Sequence, residues 1–162
     1  DTCSMVSIVE DVLARVPGPP DEIILLLQPT QPLREAKHLR AVIALLEEGA
    51  HSVATVVETE PVEKLWHEHF EPARPGYDNV TERRQDCTQT YRCDGTCYGF
   101  TRDWFRRERR FVTPHTRMLV IPPEESAKLD TPFDWQMAEM RLREAQRLQR
   151  EKMVAEEPSA PR

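Results

Sequence analysis

The segment from 22 to 58 constrains the fold more than any other. It opens with EIILLL, an apolar run without polar alternation, the pattern of a strand covered on both faces. Gln28 ends the run, and the turn PTQP separates it from REAKHLRAVIALLEE at 34–48. There Leu39, Val42, Ile43 and Leu46 recur at helical spacing, and Gly49 suits the left-handed residue that closes such a helix. HSVATVVE at 51–58 is rich in β-branched residues and reads as a second strand. Strand, helix and strand with tight connections form a βαβ unit, whose two strands run parallel. The expected class is α/β: a three-layer arrangement with a sheet of mainly parallel strands flanked by helices.

The rest of the chain is consistent with one such domain. Met5, Val9, Val12 and Leu13 place a helix over 4–15 with Ser4 as its N-cap, and VPGPP at 16–20 ends it. Residues 59–92 are polar and proline-punctuated, with isolated Trp66, Phe70 and Tyr77. So long an excursion from a compact domain has a purpose, such as covering a site or meeting a second subunit. Order resumes with a strand at 96–101, a short helix at 102–108 and a strand at 117–121. A long helix follows from 132, with Thr131 or Asp130 at its N-cap, Pro132 at its first position and Asp134 at the positive end of its dipole. Phe133, Met137, Leu142, Ala145 and Leu148 form a rough apolar stripe on it, and the final EEPSAPR is expected to be disordered. The domain is therefore assigned to 1–141, and the helix end and tail to 142–162.

Composition narrows the function classes. The 162 residues are 39% hydrophobic and 31% charged, a globular balance, and carry a formal charge of −6. That charge argues against nucleic acid as the main partner. No apolar run of about 18 residues is present to make a transmembrane helix, and no leader opens the chain, so neither a membrane partner nor secretion is expected. Cys87, Cys93 and Cys97 fall in a C-x5-C-x3-C pattern that does not match zinc spacing; with Cys3 they read as reduced cytoplasmic thiols. Asn79–Thr81 fits a glycosylation acceptor that only a secreted chain would use.

Gln28 is the first candidate for chemistry. In open parallel sheets, ligands sit beyond the carboxyl ends of the strands. A carboxamide held there by the stiff Pro29–Pro32 turn would suit a small polar ligand; alternatively it only caps neighbouring backbone groups.

At this point the residues support a resemblance. LLLQPTQPLR (25–34) closely resembles the LLQPTSPLR signature of the acylneuraminate cytidylyltransferases, the CMP-sialic acid synthetases and their relatives for other nonulosonic acids. RRQD (83–86) is similar to the family's RRQ element. YRCDGTCYGFTRD (91–103) is similar to Y-x-x-N-G-A-I-Y-x-F-R-R-D. PPEESAKLDTPFDWQMAE (122–139) is similar to P-x-E-x-S-x-D-I-D-T-x-x-D-W-x-x-A-E. The four motifs keep the family's order across residues 23–139 and cover the later two-thirds of its domain.

The resemblance implies a Rossmann-like, nucleotide-diphospho-sugar transferase fold. It also implies a transferase, one that moves CMP from CTP to a nonulosonic acid with release of pyrophosphate. Such an enzyme aligns the nucleophile, binds Mg²⁺ and neutralises phosphate charge. Gln28 would contact the acceptor sugar, with Arg84 and Arg92 near its carboxylate. Asp94, where the family commonly has Asn, would lie beside the sugar, and Tyr98 would line its pocket or pack in the core. Asp130 would be the Mg²⁺ ligand and the catalytic carboxylate, or simply a helix cap; Lys128 replaces the first aspartate of the metal pair. Residues 59–92 would form a homodimerisation arm.

The family's glycine-rich, basic nucleotide loop has no counterpart here, for Gly18, Gly49, Gly76, Gly95 and Gly99 never cluster before a helix. With Asp1 as the first residue, the expectation is an N-terminally truncated chain, inactive alone. The alternatives are a non-catalytic remnant that serves as a dimerisation or interaction module, and a cytidylyltransferase for the eight-carbon acid Kdo.

Overall fold

The computed structural model describes residues 4–61, 73 and 83–156, with the side chains of 84, 149 and 152–156 left aside. Much of the expected dimerisation arm at 59–92, including Trp66, Phe70 and Tyr77, lies outside the described residues, as do Cys3 and the tail from 157; its last residues, from Thr90, instead belong to a sheet strand paired with residues 52–59. The described elements are α1 (Met5–Arg15), β1 (Ile23–Leu26), α2 (Ala36–Glu47), β2 (Ser52–Thr59), β3 (Thr90–Thr101), α3 (Arg102–Glu108), β4 (Arg117–Val120) and α4 (Pro132–Glu156). Short 3-10 turns occur at Arg84–Asp86 and Pro123–Glu125. The fold is mixed α/β, with four helices and an open four-stranded sheet among the described residues.

The strand order is β1-β3-β2-β4. This corrects the expectation of a mainly parallel sheet. β1 and β2 do run in the same direction with α2 between them, but they are not neighbours. β3 lies between them and pairs antiparallel with both, from Ile23↔Thr101 to Leu26↔Tyr98 on one side and from Ser52↔Phe100 to Thr59↔Thr90 on the other. Only β2 and β4 pair in parallel, with Ala54 opposite Met118. A βαβ pattern fixes the relative direction of its strands but not their adjacency, because a later strand is free to insert between them. β1, β2 and β4 still point the same way, so their carboxyl ends share one side of the sheet.

Helices cover both faces. The alternation of β1 divides its side chains, Ile23 and Leu25 on one face and Ile24 and Leu26 on the other. On the first face α2 brings Val42 and Leu46 against Val53 and Cys97. Gly99 permits this approach, since a Cβ there would stand 2.4 Å from Val42 Cγ1. On the second face α1 and α3 enclose an aromatic cluster. Phe100 stacks on Phe105 at 4.9 Å between centroids, and Val9, Leu13 and Trp104 complete its buried part. Arg102 is buried among these groups, with Nε donating to Glu22 at 2.8 Å and Nη1 to the Leu13 carbonyl at 3.1 Å. It ties the end of α1 to β1 and α3.

Ser4 caps α1 by accepting the Ser7 N–H at 3.1 Å, as its sequence suggested. α4 starts with a reciprocal cap: Thr131 Oγ1 accepts the Asp134 N–H at 3.3 Å, and Asp134 Oδ2 accepts the Thr131 N–H at 2.7 Å. Among the described side chains, those of the first turns of α4 touch the body. Ala138 is buried, while Phe133, Met140, Leu142 and Leu148 are exposed. Of the apolar stripe expected on this helix, Met137 is half-buried and Phe133, Leu142, Ala145 and Leu148 are exposed. No helix among the described residues is long and apolar enough to cross a membrane.

Candidate functional site

The irregular backbone of the sheet is concentrated at one place. Between Ala54↔Tyr98 and Val56↔Cys93 the β2–β3 register slips, so that residues 94–97 of β3 stand opposite Thr55 alone. Such bulges re-aim side chains and often border active sites. Thr55 is fully buried, and its hydroxyl stands in for the missing ladder. Oγ1 donates to the Cys97 carbonyl at 3.0 Å and accepts the Cys97 N–H at 2.9 Å. Asp94, 1% exposed, braces the bulge from within: its carboxylate accepts the Thr96 N–H at 3.0 Å and the Thr96 hydroxyl at 2.5 Å.

The Gln28 turn packs on this bulge. The turn closes through Gln31 N–H to the Gln28 carbonyl at 3.3 Å. Arg34 joins the two pieces, with Nη2 donating to the Gln28 carbonyl at 2.6 Å and Nε to the Thr96 carbonyl at 2.7 Å. Gln31 Nε2 donates to the Asp94 carbonyl. Gly95 lies beneath the Gln28 side chain at φ +81°, and a Cβ on it would sit 2.1 Å from Gln28 Oε1. Glycine is required there on both counts, backbone and space. The Gln28 carboxamide makes no hydrogen bond within the described residues, so the bonding that closes the turn falls to its backbone carbonyl rather than its side chain. Gln31 Oε1 is buried and without a partner among them.

A third segment joins from 122–131. Leu129 N–H donates to the Thr30 carbonyl at 3.1 Å, which places Asp130 one residue from a direct contact with the Gln28 turn. Asp130 is half exposed, and its carboxylate meets Lys128 Nζ at 2.7 Å. Asp134 is engaged in capping α4, and the Thr131 hydroxyl and N–H hold its carboxyl below the usual carboxylate range. A solvent-facing carboxylate with one oxygen on Lys128 fits a hydrated Mg²⁺, which would take its remaining ligands from phosphate and water. Lys128, exposed beside Asp130, would add a positive charge next to such a phosphate.

The other expected residues are distributed around this core. Arg92 is exposed on β3, opposite Val57 and two residues before Asp94. The Arg84–Asp86 turn shares a groove of about 400 Å³ with Glu58, Thr59 and Pro61, at the carboxyl end of β2. Arg83 pairs with Asp86 at 2.8 Å. Tyr98 is half-buried and belongs to the aromatic face, 5.6 Å from Phe111; burial, with Cys93 nearby, pushes its hydroxyl up to about 12. Burial likewise raises the Cys97 thiol to about 12, so it stays protonated. Cys87, Cys93 and Cys97 are free and form no metal-binding group among the described residues.

Thus Gln28, Asp94 and Asp130 stand on three segments tied to one another by hydrogen bonds, while Arg92 and the Arg84 turn stand at the same end of the sheet. Sequence reasoning missed Gln31, Arg34 and Thr55, which hold these segments together. Gln31 and Arg34 lie inside the quoted motif, and a polar residue within an apolar strand was the available signal for Thr55. Scanned against models of known protein families, the chain matches none.

Proposed function

We propose that this chain carries the acceptor and carboxylate part of a cytidylyltransferase that activates a nonulosonic, sialic-type acid, on a nucleotide-diphospho-sugar transferase fold. The observation that supports this most is the docking of the Gln28 turn on the Asp94–Cys97 bulge and of the Asp130 segment on that turn, since these are the stretches that resemble the family's motifs. The sugar's anomeric hydroxyl attacks the α-phosphorus of CTP; the new O–P bond forms as the bond to the β-phosphate oxygen breaks, pyrophosphate leaves, and the hydroxyl proton passes to solvent. Gln28 orients the sugar through its unbonded carboxamide. Arg84 and Arg92 offer guanidinium groups to its carboxylate. Mg²⁺, when bound, neutralises the growing phosphate charge, and Asp130 is the residue that would hold it.

Calorimetric titration tests the acceptor half directly. The 162-residue chain is expected to bind a sialic-type acid saturably, and Gln28→Ala to weaken binding about tenfold or more. Without a triphosphate loop in its sequence, the chain alone is expected to release no pyrophosphate from CTP. Absence of binding by sialic, legionaminic and pseudaminic acids alike would overturn the reading. A second reading, an interaction module that works as a homodimer, is favoured by α1. Met5, Ile8 and Val12 are exposed along one flank of that helix, and Val16 is exposed just beyond its end.

A further inference from the structure

α2 begins where the Gln28 turn ends, and its first turn carries polar contacts that the transfer reading does not use. His38 is 4% exposed. Its Nδ1 accepts the Glu35 N–H at 3.2 Å, so the proton of the neutral ring resides on Nε2. Nε2 then donates to Glu125 Oε2 at 2.8 Å, and Lys37 Nζ reaches Glu125 Oε1 at 2.7 Å. Glu35, His38 and Glu125 bring their ligand atoms within 4.8 Å of one another. The ring's tautomer nonetheless argues against a metal there. Coordination at Nε2 calls for a protonated Nδ1, and a backbone N–H already points at that nitrogen.

We infer that His38 is a positioning residue for Asp130, acting through Glu125; the inference rests on the transfer reading above. The chain between Glu125 and Asp130 is tied at three points. Glu125 is clasped to α2. The Ser126 and Pro123 carbonyls accept from Arg141 Nη1 at 2.8 and 3.1 Å. Leu129 is bonded to Thr30. Only the first tie refers the segment to the helix that follows directly on the Gln28 turn. His38 is its buried member, and Lys37 is half exposed. The His38–Glu125 bond therefore anchors the start of the segment whose end is bonded to the Gln28 turn at Leu129, and together the two ties set the distance between the sugar-facing carboxamide and the carboxylate that serves the phosphate. A small displacement of either is costly in an in-line transfer.

Amide hydrogen exchange on the full chain tests this without any activity. His38→Leu is expected to speed exchange at Leu129 about tenfold or more, with Val53 and Phe100 in the sheet unchanged. Glu125→Ala, at a more exposed position, is expected to do the same and serves if His38→Leu does not fold. Leu129 exchange that is unaffected, or that rises together with the sheet amides, would overturn the inference. In a preparation competent for transfer, His38→Leu lowers kcat about tenfold while the KM for the acid stays within about twofold; a raised KM with kcat intact would also overturn it. Failure to observe transfer in any preparation counts against the functional reading, and the exchange result still decides the positioning role.

Discussion

The bulge at 94–97 and the helix α4 are held by opposite means. The bulge has irregular backbone, yet Thr55, Asp94, Gln31 and Arg34 each bond to it, and the Gln28 turn rests on it. α4 is regular over 25 residues, yet past Ala138 and Arg141 it offers the body little. Its outer ion pairs, such as Arg143–Glu139 and Arg147–Glu151, lie within the helix and in water. Regular hydrogen bonding stabilises a segment locally without fixing its place. A departure from regularity persists only where the surroundings over-determine it, and such places are where function concentrates. On that comparison the bulge, and not the longest element, is where the proposed site is placed.

Substitutions sharpen the contrast. The largest effect is expected from Gly95→Ala, which combines a positive φ with a clash against Gln28. It should lower unfolding free energy by about 3 kcal/mol in urea titration. Arg34→Met leaves the Gln28 and Thr96 carbonyls without their charged donor, and about 2 kcal/mol should be lost. Acid tests the clasp beside the site. Bonds from Lys37 and then His38 hold the Glu125 carboxyl below its ordinary range. Its contribution is thus fully present above the unfolded carboxylate pKa of about 4.3 and is lost as pH falls through the lower folded value. Glu125→Gln should flatten that part of a stability–pH profile. The smallest effect belongs to α4, where Met140→Ala on the exposed face should change stability by less than about 0.5 kcal/mol. A Met140 effect as large as that of Gly95 would break the comparison.

Much of the fold was legible in residue patterns. The breaks after α1 and β1 followed from proline, the face of α2 from Val42 and Leu46, and the start of α4 from Thr131 and Asp134. Strand order was not legible. No local pattern distinguishes a β3 that inserts between β1 and β2 from one that adds at an edge, because adjacency is settled by long-range packing. The bulge was equally hidden. CDGTC carries a glycine that hints at it, but the slip depends on Thr55, some forty residues earlier in the chain. Of the candidate site, Gln28, Asp94 and Asp130 were named from sequence, and their mutual arrangement came only from the bonds made by Arg34, Gln31 and Leu129. The apolar stripe on α4 is covered only near Met137; spacing reports which side chains share a face, not how much of that face is covered.

The central claim is that the turn at Gln28 and the bulge at Gly95 form the surface that receives an acidic sugar. Amide and side-chain NMR shifts recorded while the 162-residue chain is titrated with N-acetylneuraminic acid test it most directly. The account predicts saturable shifts at the Gln28 carboxamide and at the Gly95 and Thr96 amides, with α4 beyond Arg141 unmoved. Saturable shifts confined to α4 or to the outer flank of α1, with Gln28 and Gly95 silent, would contradict it.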